Sequence, residues 1–364
     1  MNGPDTGIET GAGNVTASRM GGRPPFLSVV IPTFNRADSL RVTLDGLARQ
    51  TYPHDGFEAV VVSDGSTDGT EALLAEYAQA APFVLRPIAQ PNGGPARARN
   101  RGIEEARGAV VVFLDDDVEP APDLLARHAA HHVGGGHADK EVVIAPMLPD
   151  PALAWQEPPW IAWEHAMLEK QYTAWRTGEW QGCGPHHFYS GNASLRREHL
   201  LAVGGFDERF PRQEDVELAV RLERQCGVRF VYEAQARGIH RPRRRFASWL
   251  AVPYAYGQLD VVRARRGDTG WGTVRHGYHA RNLLTRRLAD LSLAAPPLRA
   301  PLRALLLGAA TLAYRGHRAG AAFAALSVIY NLRYLEGVQS EVGARDELRR
   351  LVFSPAAGPK EGVS

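Results

Sequence analysis

Three consecutive aspartates, Asp115, Asp116 and Asp117, are the strongest chemical signal in this 364-residue sequence. They follow residues 108–114, an apolar and β-branched run that predicts a buried strand. Adjacent carboxylates repel one another, and either hydration or a hard divalent cation would relieve that repulsion. The triplet therefore predicts either a solvated acidic turn or a metal site at the end of a strand.

Two further polar clusters follow predicted strands. Thr33–Arg36 comes after strand 27–32, and residues 64–68 come after strand 57–62. We predict further strands at 83–87, 141–145 and 228–232, and a helix capped by Asp38 or Ser39. Strands that alternate with helices predict an α/β fold with a mostly parallel sheet. The clusters should meet at the carboxyl edge of that sheet, where ligands bind in such folds.

Two candidate sites lie further along the chain. Glu214 and Asp215 begin a predicted helix that extends to about Gln225. The helix dipole favours carboxylates there, so they are either ordinary helix-start residues or a catalytic pair, and we expect Asp215 to be ionised at neutral pH. The segment 149–184 carries five tryptophans and predicts an irregular region whose rings either stack on sugars or pack onto the core.

The order of these motifs resembles that of family 2 glycosyltransferases with the GT-A fold. The matching stretches are LSVVIPTFN (27–35), VSDGSTD (62–68), NGG (92–94), ARNRG (98–102), FLDDDV (113–118), SGN (190–192), GGFDE (204–208) and ED (214–215). Each stretch is a weak signal alone, but together they cover residues 27–240 in the family's order. The triple acid replaces the commoner Asp-Ser-Asp and keeps both flanking carboxylates.

The resemblance implies a metal-dependent, inverting transfer of a sugar from a nucleoside diphosphate sugar, most simply a UDP-sugar, to an acceptor hydroxyl. Asp215, beside Glu214, would be the catalytic base, and Gly191 and Asn192 would approach the donor sugar. Mn²⁺ or Mg²⁺ would be held by Asp117, Asp115 and His240. The implied nucleotide contacts are Pro32, Thr33, Asn35, Arg36, Asp64, Asn92, Gly93, Arg99, Asp115 and Asp116.

Two alternatives remain open on the residues. A sugar-phosphate nucleotidyltransferase can share a similar sheet, but it usually has a glycine-rich basic loop where this chain has Pro32-Thr33-Phe34-Asn35. A non-catalytic carbohydrate-binding scaffold would be favoured by loss of Asp117 or Asp215, and both are present. A Walker A loop and a G-x-G-x-x-G motif after the first strand are both missing from the sequence, so no ATPase or dinucleotide site is indicated.

The predicted organisation is a disordered tail at 1–25, a GT-A domain at 26–245, a helical region at 246–352 and a disordered tail at 353–364. The domain divides into a nucleotide-binding half, 26–118, and an acceptor and catalytic half, 119–245. Two unpatterned cysteines and the lack of an apolar leader predict free thiols and a cytoplasmic protein. A net charge of +2 gives no reason to expect a nucleic-acid partner.

The C-terminal part combines basic and apolar segments. Arginines greatly outnumber acids between Arg237 and Arg303, where the acids are Asp260, Asp268 and Asp290. Two apolar helices are predicted at 302–314 and 321–332, each too short to span a bilayer. They predict either a packed helical hairpin or peripheral contact with an anionic membrane and a lipid-linked acceptor.

Overall fold

The computed structural model describes residues 24–210, 212–266, 271–343 and 345–353. They divide into two compact units. The first comprises the chain up to Leu148 together with Tyr172–His240, and the second comprises Pro149–Gln171 together with the chain from Arg241 onward. Segment 149–171, which the sequence assigned to the first domain, thus clusters with the C-terminal helices. Most of the two predicted tails lies outside the described residues.

A seven-stranded sheet forms the centre of the first unit. Including those of a smaller three-stranded sheet, the strands are β1 Leu27–Thr33, β2 Phe57–Asp64, β3 Val84–Gln90, β4 Val110–Leu114, β5 Val118–Pro120, β6 Glu141–Ile144, β7 Met147–Pro149, β8 Asn192–Arg196, β9 Arg229–Tyr232 and β10 Gly238–His240. The main sheet has the order β3-β2-β1-β4-β8-β6-β9. Only β8 runs antiparallel to its neighbours in this sheet, which confirms the predicted α/β fold with a mostly parallel sheet.

Helices cover both faces of the main sheet. Those of the first unit are α1 Ala37–Ala48, α2 Thr70–Ala80, α3 Pro95–Glu105, α4 Leu124–Ala130, α6 Arg197–Ala202 and α7 Glu214–Cys226, and α5 Pro159–Arg176 is divided between the two units. Val29 and Ile31 belong to one apolar cluster and Val30 to another, as the two-residue period of a strand requires. α1 begins at Ala37 with Arg36 in the N-cap position and without a side-chain cap, so the predicted capping by Asp38 or Ser39 is wrong.

A smaller sheet, in the order β5-β10-β7, lies beyond the end of β4. β10 pairs antiparallel with β5, and His240 stands opposite Val118. Because Val118 directly follows Asp117, this register brings a histidine from the far end of the first unit next to the triple acid.

The second unit is helical. Its helices are the N-terminal part of α5, α8 Phe246–Arg266, α9 Trp271–His279, α10 Leu283–Ala294, α11 Arg299–Arg315, α12 Ala319–Val342 and α13 Arg345–Leu348. The predicted apolar helices correspond to α11 and α12, and they pack together as a hairpin. Among the described residues, no helix has the length and apolar character needed to cross a bilayer.

Two glycines let α8 and α12 cross at backbone contact. A Cβ atom at Gly257 would overlap the backbone oxygen of Tyr334, and one at Gly337 would overlap that of Tyr254. Any larger residue would therefore separate the helices. These two helices contact each other more extensively than any other pair of elements in the second unit, so this crossing organises its core.

The tryptophan-rich segment is largely helical, contrary to the prediction of an irregular region. Pro159 occupies the first turn of α5, where proline is favoured, and good helix formers fill most of 162–171. Trp163 packs edge-on against Trp249 with ring centroids 5.5 Å apart, in a cluster with Leu326 and Ile329. Trp163 is therefore part of the core of the second unit.

The two cysteines, Cys183 and Cys226, are free thiols as predicted.

Candidate active site

The antiparallel register of β8 brings Gly191 against the triple acid. Leu114 pairs with Asn192, and the backbone N–H of Asp115 donates to the carbonyl of Gly191 at 3.1 Å. A Cβ atom at Gly191 would lie 2.8 Å from Asp115 Oδ2 and 2.6 Å from Met147 Sδ. Glycine is therefore required here for steric reasons, and its backbone borders the Asp115 carboxylate.

Two arginines neutralise the three aspartates. Arg99 Nη2 lies 2.8 Å from Asp115 Oδ1. Arg36 Nη1 bridges Asp116 Oδ1 at 3.0 Å and Asp117 Oδ2 at 2.6 Å. Burial, which outweighs the opposing effect of Arg36, raises the pKa of Asp116 to about 7. This buried carboxyl also accepts from Thr33 Oγ1 at 2.7 Å, so it ties the ends of β1 and β4 together.

The donor set around Asp117 fits a hard divalent cation. His240 Nε2 lies 3.5 Å from Asp117 Oδ1, and the Arg36 guanidinium already places positive charge against the other oxygen. In the part of the chain that the structure describes, no three His, Cys, Asp or Glu side chains are grouped as a metal site. Mg²⁺ is commonly held by one or two carboxylates with substrate phosphates and water, so a complete protein cage is not required.

Arg99 connects the acids after β4 to the acids that begin α7. Its Nη1 lies 3.4 Å from Glu214 Oε1, and its guanidinium carbon is 5.7 Å from the centre of the Phe206 ring. The side chain is buried, so its charge is weakly screened. The Arg99 guanidinium therefore holds together two carboxylates, Asp115 and Glu214, that are far apart in the sequence.

The pKa of Asp215 is raised above its usual value. The causes are withdrawal from solvent and the neighbouring Glu214 carboxylate, against which Arg99 and backbone hydrogen bonds act only in part. The sequence predicted that Asp215 is ionised at neutral pH because of the helix dipole, and burial together with Glu214 acts against that ionisation. A carboxylate with a raised pKa accepts a proton more readily near neutral pH.

Asp64 anchors the loop that opens α3. Its Oδ1 accepts from the Gly93 N–H at 2.9 Å and from Gln90 Nε2 at 2.7 Å, and its Oδ2 accepts from the Gly94 N–H at 2.8 Å. Asn92 Nδ2 donates to the Asp64 carbonyl at 2.8 Å. Three of the roughly four acceptor positions of this carboxylate are therefore occupied, and one remains on Oδ2.

Asn35 braces the loops after β1 and β2. Its φ of 54° is left-handed, which asparagine tolerates better than most residues. Its Oδ1 accepts from the backbone N–H groups of Thr67 at 2.7 Å and Asp68 at 3.3 Å. Asp68 Oδ2 accepts in return from the Ala37 N–H at 3.2 Å. Pro32 and Thr33 end β1 and Arg36 lies in the loop after it, so the predicted nucleotide residues of β1 and β2 are brought together.

Asn192 is buried behind the site. Its Nδ2 donates to the carbonyls of Pro146 at 3.1 Å and Ala236 at 2.8 Å, and its Oδ1 lies 3.0 Å from His128 Nε2. A fully buried amide with these partners has no surface to offer a donor sugar. The predicted contact of Gly191 with the donor sugar stays a prediction, whereas the buried Asn192 side chain holds together the segments behind the site.

His128 is the site-supporting residue that the sequence did not reveal. Burial lowers its pKa to about 4, so the ring is neutral at physiological pH. If Nε2–H donates to Asn192, Nδ1 must accept from Ser194 Oγ, 2.9 Å away. A single histidine in a short helix has no sequence spacing that would distinguish it from a surface residue.

The strand order and the antiparallel β8 fit the GT-A class of glycosyltransferase folds. Residues 28–200 match the family model described as Glycosyl transferase family 2. This match covers just under half of the chain, and the similarity to family 2 glycosyltransferases holds for those residues.

Curated relatives match part of the chain. It is 34% identical over 246 residues to a validoxylamine A glucosyltransferase of Streptomyces hygroscopicus subsp. jinggangensis, covering 61% of this chain and 56% of the relative. It is 37% identical over 112 residues to the glycosyltransferase AglE of Haloferax volcanii, covering 31% of this chain and 37% of that relative. The matches thus span about a third to about half of the relatives' lengths.

A solved structure shares the fold. It is the mannosyltransferase PcManGT from Pyrobaculum calidifontis in complex with GDP-Man and Mn²⁺, with a TM-score of 0.56 and 24% identity. The likeness covers 86% of this chain and 88% of that one.

Proposed function

We propose that this protein transfers a sugar from a UDP-sugar to an acceptor hydroxyl, with inversion at the anomeric carbon and with Asp215 as the base. The observation that carries the proposal is the Arg99 bridge, which joins Asp115 on the nucleotide side to Glu214 beside Asp215. A single buried cation thereby fixes the donor-binding acids relative to the proton acceptor. The family 2 domain supports the same activity.

The Asp64 carboxylate supports uracil over guanine as the donor base. One acceptor position remains on Oδ2 after Gln90, Gly93 and Gly94 have donated. Uracil presents one N–H on its pairing edge, whereas guanine presents an N–H and an amino group side by side. The base with a single donor therefore matches the single vacancy.

The proposed chemical step is a single displacement. The acceptor O–H transfers its proton to the Asp215 carboxylate as its oxygen bonds to the anomeric carbon. The bond from that carbon to the diphosphate oxygen breaks, and the diphosphate leaves with the electron pair. The raised pKa of Asp215 suits a base that operates near neutral pH.

Asp117 and His240, with Asp115 nearby, are the residues that would hold Mn²⁺ or Mg²⁺. Such a cation, when bound, offsets negative charge on the leaving diphosphate. Arg36 pairs with Asp117, and we propose that it contacts a diphosphate oxygen once that ion pair opens.

Calorimetry tests the donor site. We expect UDP to bind wild type with Mn²⁺ present and to bind much more weakly with EDTA, and we expect Asp117→Asn to abolish the difference. Asp123→Asn, which alters an exposed aspartate paired with Arg127 outside the site, is the matched control and should behave as wild type. Failure of UDP, GDP and dTDP alike to bind would overturn the proposal.

Turnover tests the base separately. Asp215→Asn should retain metal-dependent UDP binding and lose roughly 10²–10⁴-fold in UDP release from a UDP-sugar with acceptor. Full turnover by this variant would remove Asp215 from the mechanism while leaving the donor site intact.

A further inference from the structure

Five exposed leucines recur every seven residues in the second unit. Leu284 and Leu291 lie on α10, Leu298 ends the turn before α11, and Leu305 and Leu312 lie on α11; together they form what we call the leucine face. They are between 45% and 76% exposed. Seven residues are close to two helical turns, so the members on each helix share one side.

The opposite sides of both helices are packed. α10 buries Ala289 and Leu293 in the cluster that contains Leu332 and Leu335 of α12. α11 buries Ala310 in the cluster that contains Leu326 and Ile329 of the same helix. The second unit therefore already has its core, and the leucine face is additional apolar surface. Large exposed apolar patches of this kind mark interaction sites.

The charge around this face is positive. Asp290 is exposed, accepts from the Tyr278 hydroxyl and is the last acid before Glu336. Exposed arginines precede, interrupt and follow the leucines in the sequence, at Arg281, Arg287, Arg315 and Arg318. Glu336 forms ion pairs with Arg303 (Nη1 to Oε1, 2.7 Å) and Arg333 (Nη1 to Oε2, 2.6 Å). Its charge therefore does not offset that of the exposed arginines. An anionic partner therefore matches the charge of the surface.

A tryptophan lies at the C-terminal end of α11. Trp155 is 43% exposed, and its ring centre is 4.9 Å from that of Tyr314 and 4.7 Å from that of His317. Tyr314 is one of the residues that α11 buries, so this tryptophan packs on the side of the helix away from Leu305 and Leu312.

We propose that the leucine face docks onto the surface of an anionic lipid bilayer, with α10 and α11 lying in the interface. Apolar side chains would enter the headgroup boundary while the arginines contact anionic headgroups. A second copy of the chain is a poorer occupant, because face-to-face pairing would bring the exposed arginines of both copies together.

Vesicle co-sedimentation of the full chain tests this surface. We expect wild type to bind phosphatidylcholine vesicles that contain about one third phosphatidylglycerol at about 0.05 M NaCl, and to bind pure phosphatidylcholine weakly. Binding should fall at about 0.5 M NaCl, where charges are screened. Leu305→Gln with Leu312→Gln should lower the partition coefficient about tenfold or more.

Controls separate this result from misfolding and from self-association. Leu201→Gln changes an exposed leucine of the first unit and should bind as wild type does. Circular dichroism should be unchanged in both variants, because all three positions are exposed. Arg315→Gln with Arg318→Gln should weaken the binding and reduce its salt dependence. Equal vesicle binding by wild type and the leucine variant would overturn the proposal. It would also be overturned if wild type did not bind vesicles and formed a dimer that the leucine substitutions convert to a monomer.

Discussion

The Arg36 guanidinium contacts Asp117, the aspartate that we propose as a metal ligand. Its contacts with Asp116 and Asp117 relieve the repulsion between the carboxylates while no other cation is bound. Metal binding to Asp117 must therefore displace this arginine or tolerate its charge. In the proposed metal site the two cations would therefore compete for the Asp117 carboxylate.

We accordingly predict that Arg36→Gln tightens Mn²⁺ binding in the absence of nucleotide by about threefold to tenfold. The substitution removes both the competing ion pair and a positive charge close to the metal. Calorimetric Mn²⁺ titration measures the effect. Arg41→Gln, which alters an exposed arginine 3.9 Å from Glu76, is the matched control. Unchanged or weaker Mn²⁺ binding by Arg36→Gln would contradict this competition.

Glu214 is predicted to set the pH dependence of turnover. Its negative charge contributes to the raised pKa of Asp215, and Arg99 opposes it. In Glu214→Gln that repulsion is removed and Arg99 keeps its charge, so the pKa of Asp215 should fall. The acidic limb of the kcat/KM profile should then move to lower pH, because Asp215 remains deprotonated there. An acidic limb that stays in place or moves upward would rule out this coupling.

Sequence patterns predicted well which residues lie together at the site, and they predicted the role of each residue less well. The ends of β1, β2 and β4 converge because parallel strands share one edge, so Thr33, Asp64 and Asp117 could be grouped from the sequence. Asn192 could not be interpreted in the same way, because its burial depends on His128 and on carbonyls from distant segments. Hydrogen bonds of that kind leave no local pattern.

At the scale of elements, the crossing of α8 and α12 depends on glycine. We predict that Gly337→Ala lowers the free energy of unfolding by about 2 kcal/mol or more, because the added carbon overlaps the Tyr254 backbone oxygen. Gly308→Ala is the matched control, since a Cβ at that exposed position of α11 meets nothing within 4 Å. It should stabilise the protein by up to about 1 kcal/mol.

Urea denaturation of both glycine variants gives the comparison directly. If Gly337→Ala were as stable as Gly308→Ala, the two helices would not depend on backbone contact.

Elements with strong periodicity were predicted best. The buried strands β1, β2 and β4 and the helix that starts at Glu214 lie close to their predicted ranges, because apolar runs and acidic helix starts are local signals. α5 was missed because tryptophans among prolines and glycines suggested an irregular segment, whereas its side chains pack against the C-terminal helices. That packing partner lies beyond the range of any local pattern.

At the scale of the whole chain, the second unit is built from two separate stretches. Residues 149–171 lie before the last part of the first unit, and the rest follows His240. We predict that a chain truncated after His240 loses solubility and binds a hydrophobic dye, because Trp160 and Trp163 lose Trp249 and Ile329 as neighbours.

A chain that ends at Phe353 retains all the described packing and is the control for that truncation. Replacing Trp160 and Trp163 by serine in the shorter chain should raise its soluble fraction. A soluble truncated chain without dye binding would show that the first unit does not need the C-terminal helices to cover this segment.

Because the second unit is built from two separate stretches, its parts leave the ribosome at different times. Trp163 emerges roughly 160 residues before its neighbours Leu326 and Ile329, a delay of about 10–30 s at roughly 5–20 residues per second. The first unit can complete its fold within that interval, whereas Trp160 and Trp163 of α5 stay exposed until α12 has been synthesised. Pausing in the last quarter of the message would lengthen this wait and give chaperones, or neighbouring nascent chains, more time to bind the uncovered tryptophans.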